Sequence, residues 1–139
     1  MSFNLFTEQF ATSGESTFLI RSGTRYSFYD LEKKIDEKCA YLTQFCAGKS
    51  SLVIVGDYDI NSIAYMFAAI KCSVTFTLQT EETYEALRDE LSEIGFQVVL
   101  FTNNNLVICL TLPEDDSVLS NSIGRYGQLA IFFSSGSTG

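Results

Sequence analysis

Six consecutive residues close to the end of the sequence have the clearest capacity for chemistry: Ser134, Ser135, Gly136, Ser137, Thr138 and Gly139. Glycine lets backbone N–H groups approach an anion closely, and the hydroxyls around it add further donors. The run follows Leu129-Ala130-Ile131-Phe132-Phe133, which reads as a buried strand ending at Phe133. A strand opening into small hydroxyl and glycine residues is how a phosphate-gripping loop is built. Ser/Gly/Thr runs also serve as flexible linkers. A linker, however, has no need to follow a buried strand directly. The common nucleotide fingerprints do not fit. GxxxxGK[ST] needs a lysine that this run lacks, and GxGxxG spaces its glycines differently.

Other reactive groups point to less. Asp57 and Asp59 form a DxD, and Glu114, Asp115 and Asp116 form an acidic run. Either could offer oxygen ligands to a divalent cation. A DxD at a helix start is better read as a cap, and an acidic run after a proline as a solvated loop, so no metal is expected. The four cysteines, Cys39, Cys46, Cys72 and Cys109, include no CxxC, and the chain has no histidine. Zinc sites of the common kinds, Ser-His-Asp triads and Cys-His pairs are thereby disfavoured. The cysteines lie among apolar neighbours and read as reduced core residues, which fits a cytoplasmic protein. No residue of the chain is assigned a catalytic role.

Composition narrows the partners. The chain has 139 residues, 46% hydrophobic and 19% charged, which suits one globular domain with a real core. Its net charge of −8 repels phosphodiester backbones and anionic lipid, so nucleic acid is not an expected partner. The aromatic residues, 14% of the chain, are not interleaved with basic ones, as a base-stacking platform would be. Residues 1–14 carry no lysine or arginine, so no secretory signal is expected. The strongest apolar helix candidate, 60–70, is about half of the roughly 20 residues that a membrane span needs.

The elements that must position the terminal run can be read in order. Thr17-Phe18-Leu19-Ile20 is a strand, 21–25 turns it around Gly23, and Tyr26 starts the return. Ser27 caps a helix, with Asp30 three residues later as an acidic variant of the capping box. Leu31, Ile35, Cys39, Leu42 and Cys46 recur on one face, and Gly48 ends the helix. Leu52-Val53-Ile54-Val55 is a strand buried on both faces. Asp57 or Asp59 caps a second helix over about 60–71, apolar almost all round. A strand over 74–78 follows, then a helix capped by Thr80, faced by Leu87, Leu91 and Ile94, and stopped by Gly95. Val98-Val99-Leu100-Phe101 is the next strand. Asn103-Asn104-Asn105 reverses the chain into an antiparallel strand over 106–112, and 113–125 reads as a polar surface loop. The fold class is therefore α/β: a mainly parallel βαβαβ sheet flanked by helices, with an N-terminal hairpin and a C-terminal strand leading into a phosphate-binding loop. Residues 1–139 form a single α/β subdomain.

Read in this order, the chain resembles the N-terminal part of an AMP-forming acyl-adenylate ligase, the superfamily of acyl-CoA synthetases, peptide-synthetase adenylation domains and luciferase. Three stretches carry the likeness. Residues 18–31 resemble the hairpin leading into the family's first helix, where a Thr/Ser-Tyr-x-Glu-Leu pattern is usual. Residues 53–71 resemble its next strand and the helix ending in Lys-Ala-Gly, although Cys72-Ser73 stands here in place of Ala-Gly. The usual proline is also missing from the strand over 74–78. Residues 129–139 resemble its signature loop, roughly Tyr-Thr-Ser-Gly-Ser/Thr-Thr-Gly-x-Pro-Lys.

The resemblance implies that Ser134, Ser135, Gly136, Ser137, Thr138 and Gly139 wrap the β- and γ-phosphates of ATP. It implies ATP and Mg²⁺ as cofactors of a parent enzyme. Its partners would be a carboxylic acid substrate and a thiol acceptor, CoA or a carrier protein. Taken as a piece truncated within its phosphate loop, the chain is expected to be inactive alone, with no cofactor bound. With only three helices expected over its sheet, it is also expected to self-associate. Two other readings remain open at this point: a stand-alone non-catalytic α/β interaction module, and a small flavodoxin-like nucleotide-binding protein.

Overall fold

The computed structural model describes residues 14–21, 23–46, 51–110 and 118–133. The chain enters through the expected hairpin, β1 (Thr17–Arg21) and β2 (Thr24–Ser27), paired antiparallel. Gly23 takes φ +79° in the turn, a conformation that side chains disfavour. Arg25 braces the hairpin by donating from Nε to Thr17 Oγ1 and from its guanidinium to the Glu15 carbonyl at 2.7 Å. Helix α1 (Phe28–Phe45) then starts on a complete capping box. The Asp30 N–H donates to Ser27 Oγ at 3.1 Å, and the Ser27 N–H donates to Asp30 Oδ2 at 2.8 Å. Cys46 is its C-cap, while Gly48, the expected stop, lies outside the described residues.

The remaining elements are β3 (Ser51–Val55), α2 (Ile60–Lys71), β4 (Thr75–Gln79), α3 (Glu81–Ile94), β5 (Val98–Phe101), β6 (Leu106–Cys109), α4 (Val118–Tyr126) and β7 (Ala130–Ile131). The sheet order is β6-β5-β3-β4-β7. β3 runs parallel to both β4 and β5, β7 runs parallel to β4, and β6 is antiparallel at the edge. Every residue of β3 and β4 is buried, as central strands of a parallel sheet require. Side chains alternate between two cores. Leu52, Ile54, Phe76, Leu78, Val98 and Leu100 pack under α1 and α2. Val53, Val55 and Val99 pack under α3 and α4 on the opposite face. The reversal after β5 is pinned to the helices. Asn105, at φ +54°, accepts from Tyr65 Oη on its side chain at 2.8 Å and from Tyr41 Oη on its carbonyl at 3.1 Å.

Several expectations need correction. Part of the stretch read as a surface loop over 113–125 is helix α4, with Leu119 buried and Ile123 packed against the same core. The expected buried strand over 129–133 pairs only through Ala130 and Ile131, and Phe132 and Phe133 are exposed. Among the described residues, β7 is the edge strand of the sheet. Four helices are present among the described residues rather than three, and both sheet faces carry two. Cys109, read as a core residue, is exposed, because the edge strand β6 is only partly covered. The acidic run Glu114, Asp115, Asp116 lies outside the described residues.

Candidate functional site

Topology creates the site before any side chain does. The two crossovers leave β3 and β4 in opposite directions across the sheet. α2 packs on one face and α3 on the other. Right-handed crossovers of opposite sense part the chain between adjacent strands, and a crevice opens at their C-terminal ends. A cleft of about 440 Å³ occupies that position. β3 and its loop supply Val55, Gly56, Asp57 and Asp59. The N-terminus of α3 supplies Thr80, Glu81 and Glu82, and the end of β5 supplies Thr102 and Asn103.

The floor of the cleft is hydrogen-bonded throughout. Backbone bonds prolong the sheet beyond the strands, from Gly56 N to the Gln79 carbonyl at 2.8 Å and from Thr102 N to the Val55 carbonyl at 3.0 Å. Beneath Gly56, Ser62 Oγ and Thr102 Oγ1 share a buried hydrogen bond of 3.0 Å. A Cβ on Gly56 would come within 2.2 Å of Thr102 Oγ1 and 2.5 Å of Ser62 Oγ, so the absence of a side chain is a packing requirement.

Both helix starts at the rim cap themselves. Asp59 accepts from the Ser62 N–H at 2.8 Å, and Thr80 Oγ1 accepts from the Thr83 N–H at 3.2 Å. Asp59, not Asp57, is therefore the cap of α2. Asp57 instead faces Arg21 at 3.8 Å, and Arg21 also donates to the Tyr58 carbonyl at 3.5 Å. The hairpin is tied to the cleft rim through this one guanidinium. Across the cleft, Asn103 Nδ2 donates to Glu81 Oε1 at 3.4 Å. With Asp57, Asp59, Glu81 and Glu82 around it, the rim is acidic. Among the described residues, no group of three or more potential metal ligands gathers.

The six residues expected to grip phosphate, 134–139, lie outside the described residues. Their approach is described. β7 runs parallel to β4 on the side away from β3, so the chain leaves Ile131 at the sheet end where the cleft opens. Thr102 and Asn103 were not singled out in the sequence as cleft residues. The signal was available, since in a parallel sheet whose order reverses, strand C-termini line the crevice. The parallel strands also differ from the flavodoxin-like order 2-1-3-4-5. Here the fourth, β7, lies beside the second, β4, rather than beside the third, β5.

No family model matches the sequence, and no curated protein sequence matches it. Solved structures do. The N-terminal subdomain of NpsA from Klebsiella oxytoca superposes with a TM-score of 0.65 at 13% identity, over 93% of this chain and 30% of that one. The nonribosomal peptide synthetase FmoA3, solved in an α-methyl-L-serine-AMP bound form, superposes with a TM-score of 0.62 at 13% identity. That match covers 83% of this chain and 13% of the other. The chain thus spans less than a third of the length of each of these two structures. At these identities the likeness is one of fold, shared with the N-terminal subdomain of NpsA and with part of FmoA3.

Proposed function

We propose that this chain is the N-terminal subdomain of an ATP-dependent carboxylic acid ligase. Such an enzyme joins an acid to the α-phosphate of ATP, releases pyrophosphate, and passes the acyl group from the adenylate to a thiol of CoA or of a carrier protein. Ser134, Ser135, Gly136, Ser137, Thr138 and Gly139 hold the β- and γ-phosphates. The observation that carries this reading is β7, which parallels β4 and delivers the chain to the cleft end immediately before that run, within a fold shared with NpsA.

Charge supports the same division of labour. The carboxylates of Asp57, Glu81 and Glu82 disfavour a polyphosphate inside the cleft itself, and the nearby cation, Arg21, already faces Asp57. Phosphate contacts then fall to the backbone and hydroxyl donors of the terminal run. No ligand for Mg²⁺ is assigned among the described residues. Joining a carboxylate to a phosphate brings two negative groups together and needs cationic stabilisation. The last lysine in the sequence is Lys71, on α2. Residues 1–139 on their own are expected to be inactive in adenylation.

The test is ATP–pyrophosphate exchange with a panel of carboxylic acids, run in parallel on the full gene product and on residues 1–139. The reading expects acid-dependent exchange from the former alone. Robust exchange by residues 1–139 would refute their inactivity. Absence of exchange from the full product with every acid class would favour a non-catalytic interaction module.

A further inference from the structure

The end of the sheet opposite the cleft gathers the cysteines. Cys46 caps the C-terminus of α1, Cys72 caps the C-terminus of α2, and Cys109 closes β6 opposite Val98, the first residue of β5. Cys39 lies on α1, packed against the same core. All four thiols are free.

One pair among them is brought to a shared hydrogen-bond acceptor. Cys39 Sγ donates to the Ala68 carbonyl at 3.9 Å, and the same carbonyl accepts the backbone N–H of Cys72 at 2.9 Å. A single oxygen thus receives both cysteines, one from each helix. The residues flanking them are clamped as well. Lys71, immediately before Cys72, donates from Nζ to Asp36 Oδ1 at 3.1 Å, and Asp36 lies one turn before Cys39. The ion pair links α1 to α2 beside the two cysteines.

We propose that Cys39 and Cys72 are a redox pair that closes to a disulfide, stapling α1 to α2 across the helix layer. The co-reactant is a small-molecule disulfide of the oxidised glutathione class. The Cys72 thiolate attacks one sulfur of that reagent, forming a mixed disulfide and releasing one thiol. The Cys39 thiolate then attacks the Cys72 sulfur and expels the second thiol. The two cysteines lose two electrons and two protons, and the reagent leaves as two thiols that carry them. Burial, followed by the charge and hydrogen bonding of Cys72, pushes the Cys39 thiol up to about 12. Cys39, half-buried and with little thiolate, is therefore the poorer first nucleophile of the two. β3 and α2 lie inside the loop that the staple closes.

The experiment is native oxidation of the purified chain with oxidised glutathione, followed by alkylation, proteolysis and mass spectrometry without reductant. The expected product is one peptide pair joined through Cys39 and Cys72. Free thiols titrated in denaturant fall from four to two, and Tm rises until a thiol reductant restores it. A double variant, Cys46→Ser with Cys109→Ser, still closes the staple, whereas Cys39→Ser and Cys72→Ser each abolish the rise in Tm. A link between any other pair overturns the proposal, as do glutathione adducts alone or an unchanged thiol count. The wild-type peptide map decides the matter if a variant does not fold.

Discussion

At the scale of single residues, Gly56 and Ser27 show how little room the chain leaves for substitution. Gly56 lies over the buried Ser62–Thr102 pair, and any Cβ there displaces one of the two hydroxyls. Gly56→Ala is expected to lower stability by about 1–3 kcal/mol, the usual range for overpacking, measured as a shifted urea midpoint at unchanged m. The Ser27–Asp30 box makes a pH prediction. Hydrogen bonds from the Ser27 backbone and then its hydroxyl hold the Asp30 carboxyl below its ordinary value. A carboxyl depressed by folding adds stability above its unfolded range, and that stability is lost as pH falls through the folded value. The acid limb of a Tm–pH curve should therefore be shallower in Asp30→Asn than in the wild type. Equal slopes would remove the box from the account.

At the scale of elements, legibility followed periodicity and burial. The buried runs at 52–55 and 98–101 identify themselves, because a strand covered on both faces has no reason to alternate. Ser27 and Thr80 mark helix starts through side chains that satisfy otherwise unpaired N–H groups. Helix α4 was hidden. Its nine residues, Val118–Tyr126, include Ser120, Asn121, Ser122 and Gly124, all weak helix formers. What holds it is tertiary, namely Leu119 and Ile123 in the core cluster that includes Val53, Val55 and Val99. Leu119→Ala should therefore cost about 2–3 kcal/mol in urea denaturation, far more than a surface-loop residue would. A change within about 0.5 kcal/mol would restore the loop reading. The shortness of β7 was equally invisible, since Phe132 and Phe133 extend its apolar run without pairing. The cleft was legible only as topology. Its lining comes from three separate strand ends, which no local pattern connects.

At the scale of the whole molecule, helices lie on both faces, and among the described residues the two sheet edges are unpaired. β6 carries Leu106 and Ile108 exposed at one edge, and Phe132 and Phe133 are exposed beyond the other. Unpaired edges with apolar side chains are templates for pairing with another chain. Sedimentation velocity should accordingly detect mass that rises with concentration, and a strictly monomeric profile at high concentration would contradict this. The same architecture supports the functional reading, because every parallel strand discharges its loop at the cleft end, β7 last. The most direct measurement is ATP–pyrophosphate exchange by the full gene product carrying Thr138→Ala beside the wild type. Loss of one hydroxyl donor to a charged phosphate predicts a fall in rate of roughly ten- to a hundredfold. Exchange that proceeds undiminished in the variant would contradict the claim that this terminal run grips the phosphates of ATP.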